Sequence, residues 1–446
     1  MKYTEELILA LEGLTLWRPL LKEPLIESFH RLIVSLSAKE PELCDFIGNY
    51  GQFINRLLSR EPHGTFKTCI AQLVIYSENT FGERIDALKG EPLPEVLLQA
   101  AALDLRALSH MADLDPEDLK KAAVECFSTR SQAKALIEAL PNWPTDWDAK
   151  DKAQFPGELF HPGLTFYQQA EALARFHARS GSGAFARYRA FIWERTGSNG
   201  RLSGILSPDP VEMEDFIGYE QQRKLLIDNT LQFLRGLPAN NILLYGDRGT
   251  GKSASVKALL NAFGEQGLRM IEIPKKHLAD FHEVLEAVSG STLKFIVFID
   301  DLAFEDSEES YTSLKALLEG GLRNRPDNLV IYATSNRRHL IKEKFSERRG
   351  MLSDNPDEEV HASDAIQEKL SLADRFGMTI TYSAPDQEQF LEIAAGIAEK
   401  RELRVDPAYL RKEAIRWEMR YNGRSPRTAR QFVTWLEGQV NNKTEE

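Results

Sequence analysis

A chain of 446 residues that is 42% hydrophobic and 27% charged can bury a core, which excludes a mainly disordered or collagen-like protein, and its length suits two or three domains. Lys and Arg total 55 against 67 Asp and Glu, a formal charge of −12, so the whole-molecule field repels polyanions and any nucleic-acid contact needs a local basic patch. Cys44, Cys69 and Cys126 match neither a disulfide framework nor a zinc knuckle, and no apolar run approaches the roughly 20 residues of a membrane-spanning helix. With the acidic start Met1-Lys2-Tyr3-Thr4-Glu5-Glu6, unlike a signal peptide, these features predict a protein of the reducing cytoplasm with no membrane partner.

Up to about residue 140 apolar residues recur at three- and four-residue spacing, as in Leu7 to Leu11, Phe29 to Leu36 and Val96 to Leu108, which predicts helices. Residues 1–150 are expected to form a helical N-terminal domain, closed by the turn-rich stretch Pro141 to Trp147. It carries no motif that converts into chemistry: His30, His63, His110, His161 and His177 lack metal-ligand spacing. A mixed connecting segment, 151–212, holds a helix at Tyr167 to His177 and the Arg/aromatic run Phe185 to Trp193. That run reads as an amphipathic helix with Phe185, Tyr188 and Ile192 on one face, rather than as a base-stacking surface.

From 213 to 384 short apolar strands alternate with helical segments. The predicted strands are Asn241 to Tyr245, Arg269 to Ile273, Phe295 to Ile299, Leu329 to Thr334 and Met378 to Tyr382. Near-continuous apolar runs suit strands covered on both faces, so the expected class is α/β, a parallel sheet flanked by helices. Residues 385–446 turn helical again, with Gly423-Arg424-Ser425-Pro426 opening the last helix of a small lid.

Gly246-Asp247-Arg248-Gly249-Thr250-Gly251-Lys252-Ser253, with Ala254 behind it, fits G-x-x-x-x-G-K-[ST] without mismatch between a predicted strand and a predicted helix. Glycines let backbone N–H groups turn inward around a phosphate, Lys252 reaches the β- and γ-phosphates, and the Ser253 hydroxyl ligates Mg²⁺. Arg248 either touches phosphate or faces solvent. Four hydrophobic residues lead into Asp300-Asp301, where Asp300 is placed to hold Mg²⁺ through its water shell.

With these Walker A and Walker B elements in place, the sequence resembles the AAA+ ATPase superfamily, and more closely a bacterial ATPase family known as domain of unknown function 815, over about residues 180–440. The resemblance is carried by Phe216-Ile217-Gly218-Tyr219-Glu220, Asp300 to Glu305, Tyr332 to Leu340 and Leu370 to Gly377. It implies an oligomeric, Mg²⁺-dependent ATPase with an AAA+ P-loop core, a C-terminal helical lid and a mainly helical N-terminal domain. By the same resemblance Phe216, Ile217 and Gly218 cup adenine, Asn336 orients the attacking water, Arg375 is an arginine finger acting in trans, and Arg427 is the lid sensor. Arg337, Arg338, Arg348 and Arg349 are rival fingers.

One departure stands out: relatives carry glutamate where this chain has Asp301, one methylene shorter. Either Asp301 works through a shifted water, or Glu305 reaches in, or hydrolysis is slow. The functions left in competition are an ATPase that remodels or recruits a macromolecular partner through its N-terminal domain, and a slow-turnover switch or assembly scaffold; a small-molecule kinase has no use for the Asn336 and Arg427 pair. The basic stretch Arg401 to Arg430 leaves a DNA-facing surface open, although Glu402, Glu413 and Glu418 at helical spacing favour solvated ion pairs.

Overall fold

The computed structural model describes residues 2–60, 65–88, 91–130, 132–145, 155–156, 159, 166–197, 199–302, 318, 326–336, 375–421 and 423–444. The chain divides into two compact units, Met1–Arg187 and Tyr188–Glu446.

The first unit is helical among its described residues. The three predicted segments lie in helices Lys2–Glu12, Pro24–Ser37 and Glu95–Ala112. Their apolar faces meet in one core that includes Trp17, Phe29, Phe46, Phe53 and Phe66. Phe53 packs edge-on against Phe66 at 5.1 Å and against Trp143 at 5.0 Å, so the turn-rich stretch after residue 140 is anchored in this core. Tyr50 fixes the same stretch by donating its hydroxyl to the Pro141 carbonyl at 2.7 Å.

A buried carboxylate organises the other end of this unit. Asp104, in helix Glu95–Ala112, accepts the backbone N–H groups of Thr15, Leu16 and Trp17 at 2.9, 2.7 and 3.0 Å on Oδ2. Three aligned N–H dipoles compensate the desolvated charge. Asp104→Ala leaves those donors without acceptors, and the first unit should lose on the order of 3 kcal/mol. Urea unfolding with hydrogen exchange read at residues 15–17 checks this; unchanged protection there contradicts it.

Among the described residues of the second unit seven strands form one sheet in the order β2-β1-β4-β5-β6-β3-β7. They are β1 (Ala190–Thr196), β2 (Asn199–Ile205), β3 (Ile242–Gly246), β4 (Leu268–Glu272), β5 (Lys294–Ile299), β6 (Leu329–Ser335) and β7 (Met378–Tyr382). All pairings are parallel except the β1–β2 hairpin. Helices Glu220–Leu234, Lys252–Phe263 and Phe281–Val288 accompany the sheet. Three more, Gln387–Lys400, Pro407–Tyr421 and Pro426–Thr444, form a lid with its own core around Phe390, Leu410 and Phe432. This is the α/β class expected from the sequence, a mostly parallel sheet flanked by helices with a small helical lid, and all five predicted strands are present to within a residue at either end.

The run Phe185 to Trp193 corrects the sequence reading. Its helix stops at Arg187, and Ala190 onward is β1, a strand of the sheet rather than an amphipathic helix. The glycines of β2 explain the strand: a Cβ at Gly200 would lie 2.1 Å from the Trp193 ring and one at Gly204 2.2 Å from the Tyr188 ring. The rings lie across the neighbouring strand where no side chain interferes, a cross-strand packing that helical spacing of the same aromatics does not reveal.

Candidate functional site: a phosphate cradle at one edge of the sheet

Sheet register assembles the site. β3 pairs with β6 so that Tyr245 lies opposite Ser335, and β5 pairs with β6 so that Ile299 lies opposite Ala333. The residues that follow these pairs, Gly246 onward, Asp300 and Thr334 to Asn336, therefore emerge together at the carboxyl edge of the sheet, where α/β folds bind ligands.

The loop after β3 depends on three glycines with positive φ: 138° at Gly246, 78° at Gly249 and 95° at Gly251. At Gly246 a Cβ would sit 2.0 Å from the Tyr382 carbonyl oxygen, so no other residue fits against β7. Thr250 closes the loop by donating to the Asp247 carbonyl at 2.8 Å. Asp247 turns away from the cradle, its carboxylate accepting the Ala384 N–H at 2.6 Å, and Arg248 is exposed at the rim of the cavity described below. Helix Lys252–Phe263 starts directly from Gly251, with Ser253 and Ala254 in its first turn on the same cavity.

Lys252 is buried, and its ammonium donates to the Gly246 carbonyl at 2.9 Å, the Asp247 carbonyl at 2.7 Å and Asn336 Oδ1 at 3.0 Å. Burial pushes its pKa below the ordinary lysine value, while the carboxylates of Asp247, Asp301 and Asp300 pull the other way. The Ser253 hydroxyl donates to Asp300 Oδ1 at 2.6 Å. Hydroxyl and carboxylate oxygens this close are a hard donor pair that fits Mg²⁺, an ion that keeps most of its shell as water and phosphate oxygen. Among the described residues no group of three or more His, Cys, Asp or Glu could hold a metal ion.

Asp301 lies in the left-handed region at φ 52°. Its Oδ1 accepts Asn336 Nδ2 at 2.6 Å and its Oδ2 faces Lys275 Nζ at 3.3 Å. Asn336 thus joins Lys252 to Asp301 through the two ends of one amide, an arrangement only a side chain with both donor and acceptor can make. Glu305 and the rival arginines Arg337, Arg338, Arg348 and Arg349 lie outside the described residues.

A cavity of about 1150 Å³ opens over this edge. The loop and Asp300, Asp301 and Asn336 line one side, and Phe216, Pro426 and Arg427 contribute from the domain start and the lid. Pro426 opens the last helix as expected: Ser425 Oγ accepts the Thr428 N–H at 3.1 Å, and the Arg427 N–H donates to the Gly249 carbonyl at 3.2 Å. Lid and loop are therefore hydrogen-bonded at the cradle. Ile217 and Gly218 do not line this cavity; they border a neighbouring recess with Tyr219 and Ile393.

Sequence reasoning missed Lys257, Trp417 and Trp435 on the cavity wall. The two tryptophans pack 5.3 Å apart, and only the fold of the lid brings them to the P-loop. Arg430, expected to make surface pairs, lines the same cavity. Other basic residues of the stretch 401–430 do pair with acids: Arg411 with Glu388, Arg416 with Glu413, Arg424 with Glu418 and Arg401 with Glu437.

Arg375 is placed elsewhere. It precedes β7 at the opposite edge of the sheet, where Met378 lies opposite Ile242. Four strand steps separate Ile242 from Gly246, about 13 Å at the usual rise. Its backbone position separates it from the cradle of its own chain.

Residues 186–440, which contain the whole sheet and nearly all of the lid, match the family described as protein of unknown function (DUF815). The chain belongs to the DUF815 family. No curated protein matches this DUF815 chain in sequence. Among solved structures it is similar to the Thermotoga maritima RuvB Holliday junction branch migration motor, at 16% identity over 53% of this chain and 67% of that one, with a TM-score of 0.36. Two variants of the same Thermotoga maritima protein match at the same identity and coverage with TM-scores of 0.37. That likeness is distant.

Gly249→Ala tests the contact of lid and loop. A Cβ there would lie 2.9 Å from Ser425 Oγ in a residue with φ 78°, so the second unit should lose roughly 1–2 kcal/mol and the Arg427 N–H should exchange faster with solvent. Unchanged exchange at Arg427 contradicts the coupling.

Proposed function

We propose that this protein is an oligomeric, Mg²⁺-dependent ATPase that couples ATP binding and hydrolysis to remodelling or recruitment of a macromolecular partner. The observation that supports it is the convergence of Lys252, Ser253, Asp300 and Asn336 on one glycine-lined loop, each within hydrogen-bond distance of another. In this reading Lys252 exchanges its carbonyl partners for β- and γ-phosphate oxygens. Ser253 and Asp300 hold Mg²⁺, which when bound draws charge from those oxygens. Asn336 hands one end of its amide to the γ-phosphate and orients the attacking water with the other. Arg427, tied to Gly249 through its backbone, reports the γ-phosphate to the lid.

The place of Arg375, remote from its own cradle, supports a finger that completes a neighbouring copy's site. The helical first unit is the proposed contact for a protein partner; the ion pairs within 401–437 count against DNA as the partner of that stretch. No helix among the described residues is long and apolar enough to cross a membrane, and all three cysteines are free thiols, which supports a cytoplasmic home.

Mixing tests the shared site. Lys252→Ala and Arg375→Ala should each lower ATPase turnover by about 1000-fold, the scale of an arginine finger, and an equal mixture should regain activity that neither has alone. A mixture no more active than its parts contradicts a site shared between subunits.

One observation favours the slow switch as a second reading. Asp301, the shorter substitute for glutamate, is held by Asn336 and Lys275 in a left-handed backbone conformation. If Asp301 is the base, Asp301→Asn should slow single-turnover hydrolysis by at least about 100-fold with nucleotide affinity intact. Hydrolysis at the original rate removes Asp301 from that role.

A further inference from the structure

We propose that Thr334 is the positioning residue that aims Asp300 at the metal and holds Asp301 in its turn, an inference that rests on the Mg²⁺-nucleotide reading of the cradle. Thr334 lies in β6, two residues before Asn336, and is 1% exposed. Its hydroxyl has one proton, which it donates to Asp300 Oδ1 at 2.6 Å. A lone pair of the same oxygen accepts the Asp301 N–H at 2.9 Å. The Thr334 carbonyl accepts the Leu302 N–H at 2.6 Å. One residue thus engages three successive positions of the acidic turn.

The consequence for Asp300 is orientational. Oδ1 collects the Thr334 hydroxyl, the Ser253 hydroxyl at 2.6 Å and the Asp301 N–H at 3.1 Å. Rotating the carboxylate breaks all three bonds, so its plane is fixed before any metal arrives. Ser253 can keep donating to Asp300 while a lone pair turns to the metal, whereas the Thr334 hydroxyl is buried and gives its one proton to Asp300. The consequence for Asp301 is conformational: a non-glycine residue at φ 52° is strained, and the bonds from residues 301 and 302 to Thr334 hold it there. Partners of this kind set metal affinity without touching the metal.

The test compares Thr334→Val, which keeps the shape and removes the hydroxyl, with Thr334→Ser, which restores it. Calorimetric titration of the full chain with ADP, at a series of Mg²⁺ concentrations and in EDTA, separates metal coupling from phosphate binding. Thr334→Val should raise the Mg²⁺ concentration for half-maximal coupling by about 10- to 100-fold, leave the affinity in EDTA within about twofold, and be rescued by Thr334→Ser. An unshifted Mg²⁺ dependence in the valine variant, or a serine variant as impaired as valine, overturns the role. If the valine chain loses its cooperative thermal transition, Thr334→Cys, a weaker donor of similar shape, should give a smaller shift in the same direction, and no shift there overturns the role equally. A wild-type chain that binds ADP with no response to Mg²⁺ overturns the reading of the cradle itself, a failure distinguishable from that of Thr334 alone.

Discussion

The site depends on a buried ammonium surrounded by oxygen atoms at the mouth of a parallel sheet. Desolvating Lys252 is costly, and the cost is met by two carbonyls of its own loop and one amide oxygen from β6. That geometry exists only because Gly246, Gly249 and Gly251 adopt positive φ and because Gly246 can lie against the Tyr382 carbonyl. In the proposed function this cation, in the first turn of helix Lys252–Phe263, is the group that meets the phosphate, although the molecule as a whole carries −12.

Register carries that local chemistry into a site. Asp300 and Asn336 are far from Lys252 in the chain, yet pairing of β5, β6 and β3 brings all three to one edge. Pairing of β3 with β7 places Arg375, just ahead of β7, at the opposite end of the strands. A single chain therefore holds Lys252, Asp300 and Asn336 close together and Arg375 apart from them. The Arg427 N–H bond to the Gly249 carbonyl ties the loop directly to the lid's last helix.

Much of this was legible in the residues. Gly246 to Ser253 fit the P-loop pattern without mismatch, and Asp300 follows an apolar run that suits a strand covered on both faces. Strand positions were readable where both faces are covered. The β1–β2 hairpin was not, because its aromatics repeat at helical spacing and the reason for the strand, glycines under Trp193 and Tyr188, lies in the partner strand. Thr334 and Lys275 carry no signature of their own; their significance comes from the atoms they meet. Trp417 and Trp435 look like ordinary lid core until the lid folds over the cavity. The adenine-facing role of Phe216, Ile217 and Gly218 came from resemblance; Phe216 and Ile217 share a small recess with Pro426 and Arg430, which also line the main cavity.

The central claim is that the cradle around Lys252 binds a magnesium-bearing triphosphate. Isothermal titration of the folded full chain with ATP, with and without Mg²⁺, tests it most directly when paired with Lys252→Ala. The account predicts saturable binding that tightens with Mg²⁺ and weakens at least about 100-fold in the variant, the scale of losing a charge-assisted contact to phosphate. Equal affinity in both proteins, or no binding to the folded wild-type chain, would contradict it.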